Sequence, residues 1–323
     1  MAHWLITGGA GFIGSHLARR LAALGHDVVV LDNLAQGRAE NLNGIPHRLV
    51  RGSIGDPAIL AELVADAAGI YHLAARVSVQ DCIANLMAGH ADNVIGSLNV
   101  LQAAVAAGRL PVVYASSAAV YGDTGPHAST ETMQERPISP YGADKLAVEH
   151  HAHAFGLIHG LPTLGLRFFN VYGSGQRPDS AYAGVIPRFV DNARAGRPHT
   201  VFGDGQQSRD FVHVDDIVTA MITGMERMQG RQTPEAWLGG FCNVCTGIPT
   251  SLIELAAAVD RVIGAVPQPL DFQPARKGDI HYSAGDPAKM QALLGFKPGV
   301  ALDQGLAEML KPGPGCRGNV TSP

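Results

Sequence analysis

The stretch Leu5-Ile6-Thr7-Gly8-Gly9-Ala10-Gly11-Phe12-Ile13-Gly14 decides the fold. A short apolar run breaks into glycines at every third position and resumes as a helix-like pattern. The run reads as a strand ending at Thr7, with Gly8 turning the chain sharply. Gly11 carries no Cβ, so a pyrophosphate can approach the N-terminus of the following helix, while Gly14 lets that helix pack close to the strand.

Working outward, the amphipathic stretch from Ile13 to Leu24 leads into Asp27-Val28-Val29-Val30-Leu31-Asp32, a second strand closed by an acid. Asp32 stands within the ~20-residue interval expected of the carboxylate that accepts hydrogen bonds from an adenosine ribose. The same charge repels a 2′-phosphate, so it points to NAD rather than NADP; Arg38 is the nearby basic group that argues the other way.

Strand-length apolar runs then alternate with helix-length amphipathic ones. Strands are expected at Arg48 to Val50, Ile70 to Leu73, Val112 to Ala115 and Thr163 to Phe168, and helices at Ala58 to Ala65, Val94 to Ala107 and Ala143 to His159. This alternation implies right-handed βαβ crossovers and a parallel sheet buried on both faces, with the site at the strands' carboxyl ends. The fold class is therefore α/β: a Rossmann-type, doubly wound parallel sheet with a smaller C-terminal substrate-binding lobe. After about Asn170 the pattern loosens, with helices expected near Val185 to Ala195, Val214 to Met228, Ser251 to Ile263 and Asp303 to Leu310. Residues 1–170 read as a dinucleotide-binding domain to which parts of later segments return, and residues 171–310 as the second lobe. Residues 311–323, with Pro312-Gly313-Pro314-Gly315, read as a disordered tail.

Composition narrows the classes. A formal charge of −4 over 323 residues, with no basic run, argues against a nucleic-acid surface. No apolar stretch reaches the ~18 residues of a membrane span, and no signal-peptide layout precedes the first strand, so a cytoplasmic location is expected. Cys82, Cys242, Cys245 and Cys316 make no disulfide framework for so long a chain. Cys242 and Cys245 have the spacing of a metal or redox pair, but they sit on a strand pattern with no partner ligands nearby, and no metal site is expected.

The chemistry concentrates in two segments. Tyr141-Gly142-Ala143-Asp144-Lys145 puts a phenol and an ammonium four residues apart at a helix start, on one face. To act as a base near pH 7 the phenol must drop about three units, which needs roughly 4 kcal/mol of preferential stabilisation of the phenolate. A neighbouring lysine and the positive nicotinamide ring can supply it in a desolvated cleft. Ser116-Ser117-Ala118-Ala119-Val120-Tyr121-Gly122 places hydroxyls at the carboxyl end of the strand from Val112 to Ala115, where a substrate alcohol would meet them.

From Met1 to about Leu310 the chain resembles the extended short-chain dehydrogenase/reductases, the NAD-dependent epimerase/dehydratase family that includes UDP-glucose 4-epimerases. The resemblance rests on ordered motifs: the Gly8, Gly11, Gly14 turn; His72-Leu73-Ala74-Ala75; Asn93-Val94; Ser117; Tyr141 with Lys145; Arg167-Phe168-Phe169-Asn170-Val171-Tyr172-Gly173; Arg209-Asp210-Phe211-Val212-His213-Val214-Asp215-Asp216; and Arg276-Lys277-Gly278-Asp279. It implies Tyr141 as base, Ser117 as its hydrogen-bonding partner, and Lys145 as the group that lowers the phenol pKa and holds the nicotinamide ribose. It places NAD against Gly8, Gly11, Phe12, Ile13, Gly14, Asp32, Asn33, Ser53, Ile54, Leu73, Ala74, Ala75, Asn93 and Phe168. It places the nucleotide sugar against Asn170, Gly184, Val185, Thr200, Phe202, Arg209, Arg276, Asp279 and Ser283. Where the family has an acid near the adenine, this chain has Ser53, a weaker acceptor. The resemblance also implies a homodimer built from the helices Val94 to Ala107 and Ala143 to His159 of each subunit.

Related dehydratases carry Asp-Glu, and decarboxylases a Glu, where this chain reads Ala118-Ala119. With no acid there, the expected reaction is NAD-dependent 4-epimerisation of a UDP-hexose, isomerase chemistry through a transient 4-keto sugar. A uronate 4-epimerase, a 4-ketoreductase and a dinucleotide-sensing protein without activity are the alternatives; an intact Ser117, Tyr141 and Lys145 argues against the last. Small residues at Ser283 and Gly184 lead to the expectation that N-acetylated hexoses are accepted as well as UDP-glucose and UDP-galactose.

Overall fold

A computed structural model describes residues 2–176, 184–230, 237–275 and 280–310. The apolar run of the opening motif forms β1 (His3–Thr7), followed by α1 (Phe12–Ala23), β2 (Val28–Asp32), β3 (Arg48–Arg51), α2 (Pro57–Val64) and β4 (Ala67–His72). Two short helices, α3 (Val79–Ala84) and α4 (Leu86–His90), run through one π-turn, Ala91–Ile95, into α5 (Gly96–Ala106). Next come β5 (Val112–Ser117), α6 (Pro140–His159), β6 (Thr163–Phe168), β7 (Asn170–Tyr172) and α7 (Val185–Arg194). The remainder is β8 (His199–Phe202), β9 (Ser208–His213), α8 (Val214–Gln229), β10 (Leu238–Val244), β11 (Pro249–Ser251), α9 (Leu252–Ile263), β12 (Leu270–Gln273), β13 (Tyr282–Ser283), α10 (Ala288–Leu294) and α11 (Leu302–Leu310).

Seven parallel strands form the central sheet in the order β10-β6-β5-β4-β1-β2-β3. Strand order reverses at β1, which pairs Leu5 with Val29 on one side and Ile70 on the other, and the loops after β1 and β4 flank that crevice. The inner strands are largely apolar because both faces are covered. Leu60, Val100 and Val148 bring α2, α5 and α6 onto one face, while Leu17, Ile217 and Met221 bring α1 and α8 onto the other. The sequence boundary at residue 170 is therefore crossed: α8, β10 and α10 pack with the central sheet. Phe189, Val201, Leu255, Val259 and Leu306 form a separate apolar cluster joining α7, β8, α9 and α11. In the second half β9 is a hub, pairing with β7, β11 and β13.

The helix that carries Tyr141 and Lys145 begins one turn earlier than its apolar pattern shows. Ser139 accepts the Gly142 N–H and Pro140 occupies the first helical position, so α6 starts at Pro140 and stops at Gly160 in the left-handed conformation. Cys242 and Cys245 are both buried at the β10 edge, where burial pushes their thiols up. The expected tail at 311–323 lies outside the described residues.

Candidate active site

A cavity of about 1010 Å³ opens over the carboxyl ends of β1, β2, β4 and β5. Its floor is the glycine turn. Gly8 adopts a φ of +72°, and a Cβ there would lie 2.6 Å from the Ala74 amide nitrogen; a Cβ on Gly14 would collide with the Gly8 carbonyl oxygen. Gly11 is conformationally ordinary, with φ −75°, and caps the start of α1, whose first-turn amides lack intrahelical partners and face an anion's natural place. Gly8, Gly11, Phe12, Ile13 and Gly14 all line the cavity. This floor fits the pyrophosphate of NAD.

Asp32 ends β2 in the cavity wall beside Asn33. One carboxylate oxygen accepts the Ala10 N–H at 2.9 Å and the other the Leu34 N–H at 2.8 Å. A carboxylate offers about four lone-pair positions, so two remain for ribose hydroxyls. Ser53 and Ile54 line the same end; the Ser53 hydroxyl accepts the Gly55 N–H at 3.0 Å.

Leu73, Ala74 and Ala75 continue the wall, secured by a hydrogen-bonded chain whose direction can be read. The Thr7 hydroxyl accepts the Ala74 N–H at 3.3 Å and donates to His72 Nδ1 at 2.7 Å. His72 Nε2 donates to the Ser97 hydroxyl at 2.9 Å, whose own hydrogen goes to the Asn93 carbonyl at 2.5 Å. Burial, with the Lys145 charge nearby, pushes the His72 imidazole down to about 3 from its ordinary 6.5. Between those values the unfolded chain binds a proton that the folded one excludes. Stability is thus expected to fall as pH drops through that window, with His72 contributing up to about 1.4 kcal/mol per pH unit. Urea midpoints against pH for the protein and for His72→Gln test this, and an equal acid slope in the variant would place the sensitivity elsewhere.

Asn93 departs from the sequence expectation. It sits on the π-turn, almost wholly buried and outside the cavity lining, where its Oδ1 accepts the Arg76 N–H at 2.7 Å and its Nδ2 donates to the Arg76 carbonyl at 3.2 Å. It clamps the wall instead of forming it. Arg76, which sequence reasoning missed, does line the cavity; its guanidinium donates to Asp92 at 3.0 Å and to Asp81 at 2.7 Å. Its place directly after Ala75 was the available signal.

Ser117, Tyr141, Lys145 and Phe168 meet on the far wall, beside Asn170, Gly184 and Val185. Ser117 closes β5 and accepts the Ala119 N–H at 3.1 Å, and its hydroxyl lies near enough to the Tyr141 phenol to favour the phenolate. Lys145 Nζ donates to the Ala115 carbonyl at 2.8 Å and lies 5.8 Å from the Tyr141 ring centre. Contrary to a depressed phenol, burial pushes Tyr141 up to about 12, and the nearby Ser117 hydroxyl offsets only part of this. Burial pushes Lys145 down to about 8, against the carboxylates of Asp144 and Glu149. The chain by itself therefore keeps the phenol protonated, and added positive charge beside it is needed to make a base.

The other expected substrate contacts stand elsewhere. Thr200 and Phe202 lie on β8 against β12, and Arg209 and Ser283 face each other across the β9–β13 pair. None of the four lines the cavity as formed by the described residues, although Phe211, two residues after Arg209 on β9, does. Arg276 and Asp279 lie outside the described residues. Asp210, beside Arg209, is buried and accepts from the Thr246 amide and hydroxyl and the Gly247 amide, tying β9 to the loop after β10. Among the described residues His213, Asp215 and Glu308 approach one another at metal-ligand range. However, His213 Nδ1 accepts the Asp215 N–H, which leaves the ring proton on Nε2, the nitrogen facing Glu308.

Comparison with known proteins agrees with this geometry. Residues 4–240 match the NAD dependent epimerase/dehydratase family. The UDP-glucose 4-epimerase of Mycolicibacterium smegmatis is 38% identical over 315 residues, which cover 95% of this chain and 97% of that protein. The crystal structure of UDP-glucose 4-epimerase from Thermotoga maritima with UDP-glucose superposes with a TM-score of 0.88 at 34% identity, covering 95% of this chain and 97% of that one. A UDP-N-acetylglucosamine 4-epimerase from Methanobrevibacter ruminantium, in complex with UDP-N-acetylmuramic acid, gives 0.87 at 31% identity, covering 95% and 96%. The chain belongs to the NAD-dependent epimerase/dehydratase family, an extended short-chain dehydrogenase/reductase whose cofactor is NAD. Among the described residues no helix is long and apolar enough to cross a membrane.

Proposed function

We propose that this protein interconverts the C4 epimers of UDP-hexoses, UDP-glucose with UDP-galactose and their N-acetylated counterparts. The chain is an isomerase of the UDP-sugar 4-epimerase kind. One observation carries the choice of reaction: the turn after Ser117 is Ala118–Val120, so this turn brings no carboxylate to Ser117 with which to eliminate water or assist loss of CO₂. NAD, when bound, accepts the C4 hydride and returns it. Tyr141 takes the proton from the sugar O4 and gives it back, Ser117 bridges phenol and hydroxyl, and Lys145 steadies the phenolate charge. Returning the hydride on the other face requires the sugar to turn about its diphosphate, so firm nucleotide contacts and few hexose contacts suit the reaction.

A neutral sugar is favoured over a uronate by the cations that line the cavity among the described residues. Arg76 is paired with Asp81 and Asp92, Lys145 is engaged beside Tyr141, and Arg38 lies on the Asp32 side. Room for an N-acetyl group is supported at Gly184, which lines the cavity and where an added Cβ meets nothing within 4 Å among the described residues; Ser283 stands outside the cavity so formed, and substitution tests its part. Association into a homodimer through α5 and α6 belongs to the same reading; Ile95, Leu157 and Ile158 are apolar and exposed on or next to those helices. The test assays purified protein against UDP-glucose, UDP-galactose, UDP-GlcNAc, UDP-GalNAc and UDP-glucuronate without added reductant. The first four are expected to turn over, and Ser283→Tyr to lose the N-acetylated pair selectively. Exclusive turnover of UDP-glucuronate would overturn the substrate assignment, and stoichiometric consumption of added NADH would identify a reductase.

A further inference from the structure

Tyr141, Lys145 and Glu149 occur at every fourth position along α6, which puts all three on one face. The first two line the cavity; Glu149 is buried behind them. Its Oε1 accepts the Ser116 hydroxyl at 2.5 Å and Arg167 Nε at 2.9 Å, and its Oε2 accepts an Arg167 Nη at 2.6 Å. Arg167 is the β6 residue directly paired with Ser116 of β5, so one carboxylate grips neighbouring strands at the level of Ser117. The guanidinium is fully buried, sandwiched between the rings of Tyr121 and Phe241 at 4.7 and 4.0 Å, and also donates to Glu135 at 2.7 Å. Among the described residues its Nη1 finds no hydrogen-bond partner. A buried ion pair with an unsatisfied nitrogen is a poor source of stability, since well-packed apolar residues of that volume would do as well.

We propose that Glu149, held by Arg167, is a positioning residue for the reaction: it fixes the end of β5 against α6, so that the Ser117 hydroxyl stays beside the Tyr141 phenol and Lys145 keeps its place on the Ala115 carbonyl. This rests on the roles proposed above for Ser117, Tyr141 and Lys145. The groups facing Lys145 are Asp144 and Glu149 from its own helix, Cys82 from α3, His72 from β4 and the Ala115 carbonyl from β5. Those facing Glu149 are Ser116 and Tyr114 from β5 and Arg167 from β6, with Glu135 beyond Arg167. Removing the Glu149 charge takes one anion from Lys145 and leaves Arg167 with Glu135 alone. Both changes favour deprotonation of Lys145.

The test measures kcat against pH for the NAD-loaded enzyme on UDP-glucose. Glu149→Gln is expected to lower plateau kcat, leave KM unchanged and move the alkaline limb to lower pH. Ser116→Ala keeps every charge and loses only the hydroxyl link; it is expected to lower kcat about tenfold with the limb unmoved. In a Ser117→Ala background Ser116→Ala is expected to have no further effect. An unmoved limb in folded Glu149→Gln protein overturns the proposal, as do losses at Ser116 and Ser117 that multiply. If Glu149→Gln does not fold, the serine cycle decides alone. Full turnover by both Tyr141→Phe and Lys145→Ala would instead defeat the underlying assignment, whatever Glu149 does.

Discussion

Phenylalanine at Tyr141 is expected to reduce kcat by about 10²–10⁴, the usual contribution of a positioned acid–base group. NAD and UDP-sugar binding should remain. The ring would keep its place at the cavity wall on α6, and the variant removes only the phenolic oxygen, which faces the same cavity as Ser117. Because burial alone pushes that phenol up to about 12, the base form depends on charge brought beside it. Lys145 is one source, held on the Ala115 carbonyl one helical turn away. The measurement is progress of epimerisation at saturating UDP-galactose, paired with the NAD content of the purified variant and a titration with UDP. Near-normal turnover would remove Tyr141 from the proton path. Lost NAD in a folded variant would show that the hydroxyl binds and does not merely react.

Much of this site was readable because its chemistry is local. The glycine turn, Asp32 at the end of the second strand, and the Tyr141–Lys145 spacing each follow from contiguous residues with strong backbone preferences, and each lands on the cavity. Contacts made between distant segments were less legible. Asn93 looks like a cofactor ligand by motif, yet the π-turn at Ala91–Ile95 turns its amide onto the Arg76 backbone, and a one-residue widening of a helix leaves no mark in an apolar pattern. The strand from Leu238 to Val244 could be recognised as a strand, but not as the seventh member of the central sheet, since its partner β6 lies some seventy residues earlier. Arg167 was legible as part of a motif and silent about its burial. Its ion pair joins α6 to β6, and only the packed structure brings Glu149, itself held by Ser116, and Glu135 to one guanidinium.

The glycine turn permits a test in which folding and cofactor binding separate. Alanine at Gly11 meets no left-handed φ, since φ is −75°, but its Cβ would press on the Gly8 carbonyl oxygen at 3.2 Å, which must give by a few tenths of an ångström. Its loss of stability is expected to stay below about 1 kcal/mol, smaller than for a residue forced into positive φ. The methyl group nevertheless stands where the pyrophosphate must approach the first turn of α1. NAD affinity is therefore expected to fall by at least a hundredfold, roughly 2.7 kcal/mol. Alanine at Gly8 differs. Its φ of +72° costs about 1–2 kcal/mol for a residue with a Cβ, and that atom would press on the Ala74 backbone, so the wall of the crevice must shift as well. Gly8→Ala is expected to lose both stability and NAD, whereas Gly11→Ala chiefly loses NAD. Denaturation midpoints of the cofactor-stripped proteins, with NAD titrations of each, read the two effects independently. A Gly11→Ala protein that binds NAD as tightly as the parent would move the pyrophosphate away from the start of α1, and with it the anchor from which the positions of ribose, nicotinamide and sugar are inferred.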